Sequence, residues 1–389
     1  MSDTITPFRI EIAEAAIIDL RDRLAHTRFP EKEPVNDWSQ GFPLAYLKEL
    51  CEYWRTSYDW RRCEANLNRY PQFKTDLTGP DGTPLGIHFL HVRSPEPNAR
   101  PLILTHGWPG SIVEFHKVIG PLTNPAAYGG DPADAFHVVC PSLPGFGFSD
   151  KPCSTGWGVE HIAKAWAQLM ARLGYVSYGA QGGDWGAVVT TWIGKVDTQH
   201  CAGIHINMPI AFPDSDQMTD LTERERGALA SMQFYNDHDS GYSKQQSTRP
   251  QTVGYGLVDS PAGQAAWIVE KFYQWTDCNG HPEHVLTRDE LLDNVMLYWL
   301  PGTGASSARL YWESFDSAVA DNLVGGPVTI PSGMSIFPKE IFRPSRRWAE
   351  KRYTDIRYWN ELEKGGHFAA FEQPVSFVNE VRSFFRHLR

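Results

Sequence analysis

The stretch Tyr175–Lys195, YVSYGAQGGDWGAVVTTWIGK, decides how the rest of the chain is read. Tyr175–Gln181 is a short run with strand character, and Ala187–Lys195 follows as a helix candidate. Between them lies Gly182-Gly183-Asp184-Trp185-Gly186, an acid with a glycine two residues away on either side. A strand that turns directly into a helix crowds the backbone around its central residue, and glycines relieve that crowding. The central residue, Asp184, then stands where a nucleophile would. The plainer alternative is an Asp that merely caps the helix. G-x-S-x-G and G-x-C-x-G occur nowhere else, so no serine or cysteine competes for the role.

Outward from this turn the chain alternates. Leu85–Val92 (LGIHFLHV) reads as a strand after an Asp81-Gly82 turn. Pro101–Gly107 and Phe136–Ser142 are brief continuous apolar runs that suit strands covered on both faces. Val159–Leu173 reads as a helix ending at Gly174, and Ala202–Met208 as another strand. Strands alternating with helices predict an α/β fold with a mainly parallel central sheet and helices on both faces. From 209 to 320 the alternation stops in favour of helices, clearest at Gly263–Trp275 and Asp289–Trp299. It resumes with Val328–Phe337 and Ile356–Trp359, and a helix Val375–Leu388 closes the chain. Ahead of the body, Glu14–Phe29 is amphipathic through Ile17, Leu20 and Leu24. Pro43–Trp60 is an aromatic-rich helix candidate expected to pack on the main body. The expected organisation is an N-terminal extension (1–74), a core (75–208 and 321–389) and a helical cap or lid (209–320).

Composition excludes several classes. The chain has 389 residues, 41% hydrophobic, with 14 Trp, 20 Phe and 15 Tyr, which rules out disorder. With 36 Lys+Arg against 46 Asp+Glu the net charge is −10, which disfavours nucleic acid or an anionic membrane as main partner. Arg343, Arg346, Arg347, Lys351 and Arg352 form a local basic cluster that reads as a solvated helix face. Six scattered cysteines without C-x-x-C suit a reducing compartment. The polar, acidic start lacks the pattern of a signal peptide, and no apolar run is long enough for a membrane span. A soluble, cytoplasmic protein is expected; a homo-oligomer is compatible with such a chain.

An Asp in the nucleophile position constrains the chemistry. Serine displacing a group from saturated carbon would leave an ether, which water does not readily release. Asp leaves an ester whose carbonyl water can attack. The acid turn therefore predicts an alkyl electrophile, such as an epoxide or haloalkane, and not an ester substrate. Hydrolysis then needs a base, and His367 in Gly365-Gly366-His367-Phe368 follows the last predicted strand. Glu340, in FPKE after the preceding strand, fits the acid that orients it; Asp316, Asp321 and Asp355 are weaker alternatives. His106-Gly107-Trp108-Pro109 ends an early strand where an oxyanion hole is expected. Its donors would be the Trp108 and Trp185 backbone N–H groups.

Other motifs fall short. Gly145-Phe146-Gly147 lacks the third glycine of a dinucleotide fingerprint, and Gly302-Thr303-Gly304 lacks the Lys-Ser/Thr of a phosphate loop. His281 and His284 make an H-x-x-H without a third ligand at useful spacing. No cofactor and no metal are expected.

With these residues in view the chain resembles a microsomal-type epoxide hydrolase of the α/β-hydrolase superfamily over nearly its whole length. The resemblance lies in FRIEI, LRDRLAHTRFP and the Trp/Tyr-rich helix of the extension, and in HGWPGS, LPGFGFSDKP, GGDWG, FPKEI and GGHFAAFEQP. It implies the α/β-hydrolase fold, Asp184 as nucleophile, Glu340 as acid and His367 as base. No stretch resembles the family's membrane anchor, so one of its soluble members is expected. The resemblance also implies two cap tyrosines, Tyr242 in DSGYSKQ and Tyr311 in ARLYWES, as donors to the epoxide oxygen. Tyr235, Tyr255 and Tyr298 lie near them in sequence. The substrate implied is a small epoxide, which the aromatic-rich composition suggests is apolar or aromatic. The rivals are a haloalkane dehalogenase, against which the phenols and the extension argue, and a non-catalytic ligand-binding member of the fold.

Overall fold

The computed structural model describes residues 4–315 and 326–389. Its strands are β1 (Thr6–Phe8), β2 (Gln72–Thr78), β3 (Pro84–Val92), β4 (Arg100–Thr105), β5 (Phe136–Pro141), β6 (Tyr178–Gly182), β7 (Cys201–Ile206), β8 (Ser332–Ile336) and β9 (Ile356–Glu361). They form one sheet in the order β1-β2-β3-β5-β4-β6-β7-β8-β9. From β5 across to β9 the pairs are parallel, and β1, β2 and β3 add an antiparallel edge that joins at β5. The expected α/β fold is borne out.

The apolar runs of β4 and β5 lie at the centre of the sheet, with Leu102, Ile103, Leu104, Val138 and Val139 all fully buried, as strands covered on both faces must be. The helix Val159–Arg172 stops at Gly174, whose positive φ of 83° turns the chain back toward the sheet. The C-terminal helix Pro374–Arg386 lies against the sheet, its Phe384 and Phe385 rings filling the space above Gly203, Gly333 and Gly179.

Two strands and a helix escaped the sequence pattern. β1 is three residues at the sheet edge. β2, QFKTDLT, buries Thr75 and Leu77 on one face and Gln72 on the other, so buried polar residues interrupt its apolar alternation. Gln72 is satisfied there by accepting from His88 Nε2 at 2.8 Å. The aromatic segment is two helices, Leu44–Thr56 and Trp60–Asn68, divided where the Asp59 carboxylate caps the second by accepting from Arg61 N at 2.9 Å.

Between β7 and β8 the described chain is helical: Glu223–Phe234, Gly241–Thr248, Pro250–Asp259, Pro261–Trp275, Arg288–Trp299 and Gly304–Phe315. A single π-helical turn, Tyr235–Asp239, follows the first of these. The aromatic extension docks on Arg288–Trp299: Trp54 Nε1 meets Met296 Sδ at 3.3 Å, and Tyr53 and Tyr58 donate to Asp289 at 2.8 Å and Asp293 at 2.6 Å. Burial, only partly offset by Tyr58 and Arg62, pushes the Asp293 carboxyl up to about 6.

The basic cluster departs from the expected solvated face. Arg347 pairs with Asp220 and with the buried Glu225, Lys351 with Asp214, and Arg343 bonds Ser231. Arg347 and Lys351 lie opposite acids of the helical insertion, an ion-paired seam between residues 214–225 and 347–351, while Arg346 pairs with Glu350 on an exposed helix face. Such pairing is invisible while the acids are more than a hundred residues away in sequence.

Candidate active site

β4 and β6 are neighbours, and the chain leaves them toward opposite sides of the sheet, a crevice where α/β folds place their sites. Thr105 of β4 pairs with Gly182 of β6, so His106-Gly107-Trp108 and Gly183-Asp184-Trp185 emerge side by side. Asp184 sits at φ 51° and ψ −132°, a conformation that costs a non-glycine residue of order 1–3 kcal/mol. The turn survives because its neighbours lack side chains. A Cβ at Gly182 would strike the Gly186 carbonyl, and one at Gly186 would strike the Thr105 carbonyl. Gly183 has open space, its nearest neighbour being Asn207 Cβ at 3.9 Å.

The Asp184 carboxylate is held by two contacts. Trp108 N–H donates to Oδ1 at 2.8 Å, and Oδ2 lies 3.1 Å from His367 Nε2, without hydrogen-bond alignment. Trp185 opens the following helix, so its N–H has no carbonyl a turn back, yet only Trp108 bonds the carboxylate among the described residues. His367 Nδ1 lies 2.6 Å from Glu340 Oε1. Both side chains are buried, and the His367 backbone N–H donates to the Trp275 carbonyl at 2.9 Å. The loop that carries His367 turns at Gly365, with φ 103°, and Lys339 N donates to the Gly365 carbonyl at 3.1 Å, which brings Glu340 beside it. Burial pushes the imidazole pKa down, but the Glu340 charge and the Asp184 contacts outweigh it and hold the ring well above its ordinary range. The two carboxylates flanking the ring favour its protonated form. Of the alternative acids, Asp355 pairs with Arg357 at 2.9 Å on the surface, and Asp316 and Asp321 lie outside the described residues.

Two phenols approach from the helical insertion. Tyr242 stacks on Trp108 at 4.9 Å and 8°, and Tyr311 stands edge-on to Trp108 at 5.8 Å and to Trp185 at 4.9 Å. The two tyrosine rings are 5.7 Å apart. Tyr242 Oη shares a hydrogen bond of 2.9 Å with Tyr235 Oη, placed there by the π-helical turn. Tyr311 Oη, buried, has no protein partner. Burial above all, with Asp184 contributing, raises both phenols well above their ordinary value, so both stay protonated. The other nearby tyrosines part from the site. Tyr298 donates to the Gly110 carbonyl at 2.6 Å, and Tyr255 is 70% exposed. His281 and His284 are turn residues, His284 Nδ1 lying 2.8 Å from the Cys278 carbonyl and His281 Nδ1 accepting from Glu283 N at 3.2 Å.

Three groups near the site were not read from the sequence. Glu114 forms a capping box with Ser111, a pattern visible in S-I-V-E, but its burial beside Asp184 and His367 is a tertiary fact. Asn294 accepts from Ser111 Oγ and donates to the Pro109 carbonyl, both at 2.7 Å, which fixes the loop carrying Trp108. Lys271 is buried with Asp239 at 2.7 Å and stands 4.7 Å over the Tyr242 ring.

A strand–acid–helix elbow facing a buried histidine–carboxylate pair on this sheet defines an α/β hydrolase. Residues 100–251 match the α/β hydrolase fold model, and residues 5–115 match the model of the epoxide hydrolase N terminus. A Stigmatella aurantiaca protein provisionally named an epoxide hydrolase is 58% identical over 99% of this chain and 86% of its own length. Epoxide hydrolase 1 of Sus scrofa is 36% identical over 98% of this chain and 88% of its own. The crystal structure of juvenile hormone epoxide hydrolase from the silkworm Bombyx mori superposes with a TM-score of 0.90 at 31% identity, covering 99% of this chain and 95% of that one. The chain belongs to the epoxide hydrolase family. Among the described residues no helix is long and apolar enough to cross a membrane.

Proposed function

We propose that the protein hydrolyses an epoxide to a vicinal diol through a covalent ester on Asp184. The observation that carries this reading is the division of labour at the Asp184 carboxylate. Oδ1 rests on the Trp108 N–H, which leaves Oδ2 to attack. An epoxide carbon bonds to Oδ2 as its C–O bond breaks, and the leaving oxygen takes a proton from Tyr311 or Tyr242. The ester removes the negative charge that helped hold His367 protonated, so the ring releases its Nε2 proton, which restores the tyrosine through solvent, and the neutral imidazole, still oriented by Glu340, acts as a base. It takes one proton from water as the oxygen adds to the Asp184 carbonyl carbon, and the oxyanion forms at Oδ1 beside the Trp108 N–H. Trp185 N–H serves as the second donor. Collapse releases the diol oxygen, which takes that proton back from His367. The second water proton leaves the regenerated carboxyl and returns His367 to its protonated form.

Support for an apolar or aromatic substrate comes from the rings of Trp108, Trp185, Trp275 and Phe315 around the phenols. Tyr242 also lines an opening of about 820 Å³ whose walls mix the rings of Trp38, Phe42, Phe234 and Trp267 with polar residues such as His238, Glu270 and Gln274. We assign 1–74 to an extension that braces the cap, 75–208 and 321–389 to the catalytic body, and 209–320 to the cap. The test is to incubate the protein with styrene oxide, trans-stilbene oxide and a 1-haloalkane, following diol and halide, with Asp184→Ala as control. Diol lost on substitution supports the reading; halide without diol would make the tyrosines packing residues and the protein a dehalogenase.

A further inference from the structure

Beside Asp184 lies a small pocket of about 20 Å³, room for about one water molecule. Asp184, His367, Glu114, Gln181 and Asn207 line it, and none of the three phenols does. Two of its buried polar atoms, Gln181 Oε1 and His367 Nε2, have no hydrogen-bonded protein partner. Glu114 is 9% exposed and uses Oε1 to accept from Ser111 N at 3.1 Å. Gln181 is oriented by donating from Nε2 to Asn207 Oδ1 at 2.7 Å, which commits its oxygen to a different direction from its nitrogen.

We propose that Glu114 and Gln181 are further residues of the reaction, together holding the hydrolytic water in this chamber between His367 Nε2 and the Asp184 carbonyl carbon. The inference rests on the ester mechanism above. Its logic is a count of the water's four valences. One hydrogen points to His367 Nε2, which removes it, and the other to Gln181 Oε1. One lone pair accepts from a protonated Glu114 carboxyl, and the remaining lone pair is directed at carbon. A neutral carboxyl is what the site favours: burial, reinforced by Asp184 and opposed by His367, pushes Glu114 up to about 8. A second carboxylate there would also oppose the oxyanion that grows on Asp184. Epoxide would enter on the phenol side and water wait on the other, so binding substrate need not expel the second reactant.

The test separates the two half-reactions with styrene oxide, by stopped-flow tryptophan fluorescence and by acid quench with mass measurement of the Asp184 peptide. In Gln181→Leu and Glu114→Leu the ester should form within a few-fold of the wild-type rate and decay about 10²-fold more slowly, the size of effect expected from a mispositioned reactant. Glu114→Gln, which keeps the cap and a neutral donor, should decay nearly as fast as wild type. Loss of ester formation and decay together would make Glu114 a support of the Trp108 loop only and overturn the proposal, as would unchanged decay in Gln181→Leu. Slow decay in Glu114→Gln equal to that in Glu114→Leu would overturn the role of the neutral carboxyl. His367→Gln is the control for the underlying mechanism: if it accumulates no ester, the ester reading itself fails, whatever Glu114 does.

Discussion

The two phenols above Asp184 differ in one respect that a conservative substitution can expose. Tyr311 Oη has no protein partner, whereas Tyr242 Oη is bonded to Tyr235 Oη at 2.9 Å. Tyr311→Phe therefore removes a hydroxyl whose desolvation is uncompensated in the free enzyme, and folding stability should be unchanged or slightly raised. On the proposed mechanism that hydroxyl faces a developing alkoxide, and a hydrogen bond to a charged group contributes about 1.5–3 kcal/mol. The ester-forming rate should fall about 10- to 150-fold, with Tyr242 still supplying one donor. Tyr242→Phe should slow the same step comparably, but it also leaves the Tyr235 hydroxyl unpaired and should destabilise the fold by about 0.5–1.5 kcal/mol. The assay is single-turnover tryptophan fluorescence, since Trp108, Trp185 and Trp275 surround the phenols, paired with urea unfolding of each variant. A Tyr311→Phe enzyme that forms ester at the wild-type rate would refute the donor role. One whose loss of rate was matched by a loss of stability would show that the ring packs and the hydroxyl does nothing specific.

Glu340→Gln takes away the charge that orients and stabilises the His367 imidazolium, so ester should accumulate and decay about 10²-fold or more slowly, seen as a burst of alkylated enzyme before slow turnover. Gly107→Ala places a methyl group against the Asp184 carboxylate, and the variant should keep its circular dichroism spectrum while losing ester formation. The ion-paired seam should be visible in acid. The Arg347 hydrogen bonds, against the opposing effect of burial and with help from Ser345 and Thr222, hold Glu225 down at about 2. Because the folded value lies below the unfolded one of about 4.3, the contribution is complete above that pH and is lost as pH falls through 2. Arg347→Leu should flatten the fall of stability between those values in urea titrations, and an unchanged slope would assign the acid lability elsewhere.

The chemistry was legible wherever covalent spacing alone imposed it. Gly182 and Gly186 stand where a Cβ would meet a carbonyl, so the turn around Asp184 is written into five consecutive residues. The apolar runs of β4 and β5 announce a sheet covered on both faces because they have no polar alternation to give up. β2 could not be read the same way, since its buried Gln72 is made tolerable by accepting from His88 on the neighbouring strand and donating to the Leu67 carbonyl and Asn68 Oδ1. The tyrosines needed a family resemblance, because nothing within helical periodicity separates Tyr242 from Tyr235 seven residues earlier or Tyr311 from Tyr298. Only the packed structure distinguishes them: Tyr298 is tied to the Gly110 carbonyl, and Tyr311 is left free above Trp185. Glu340 was preferred from its place after a strand, and a bridge between Lys339 and Gly366, a contact between two strand ends, is what carries it to His367.

What the sequence by itself determined is local: the elbow, the strand–helix alternation, the loop glycines before His367 and the reaction class an Asp nucleophile allows. Each follows from sterics or bonding within a few residues. Tertiary structure decided how groups far apart in sequence meet. It brought Glu340 to His367 and the aromatic extension onto the helix whose Asn294 holds Pro109. It also placed Glu114 and Gln181 along a space the size of one water. Those are questions of burial and distance, and a side chain's protonation and partners are set by the surroundings that exclude water from it, which no stretch of linear sequence contains.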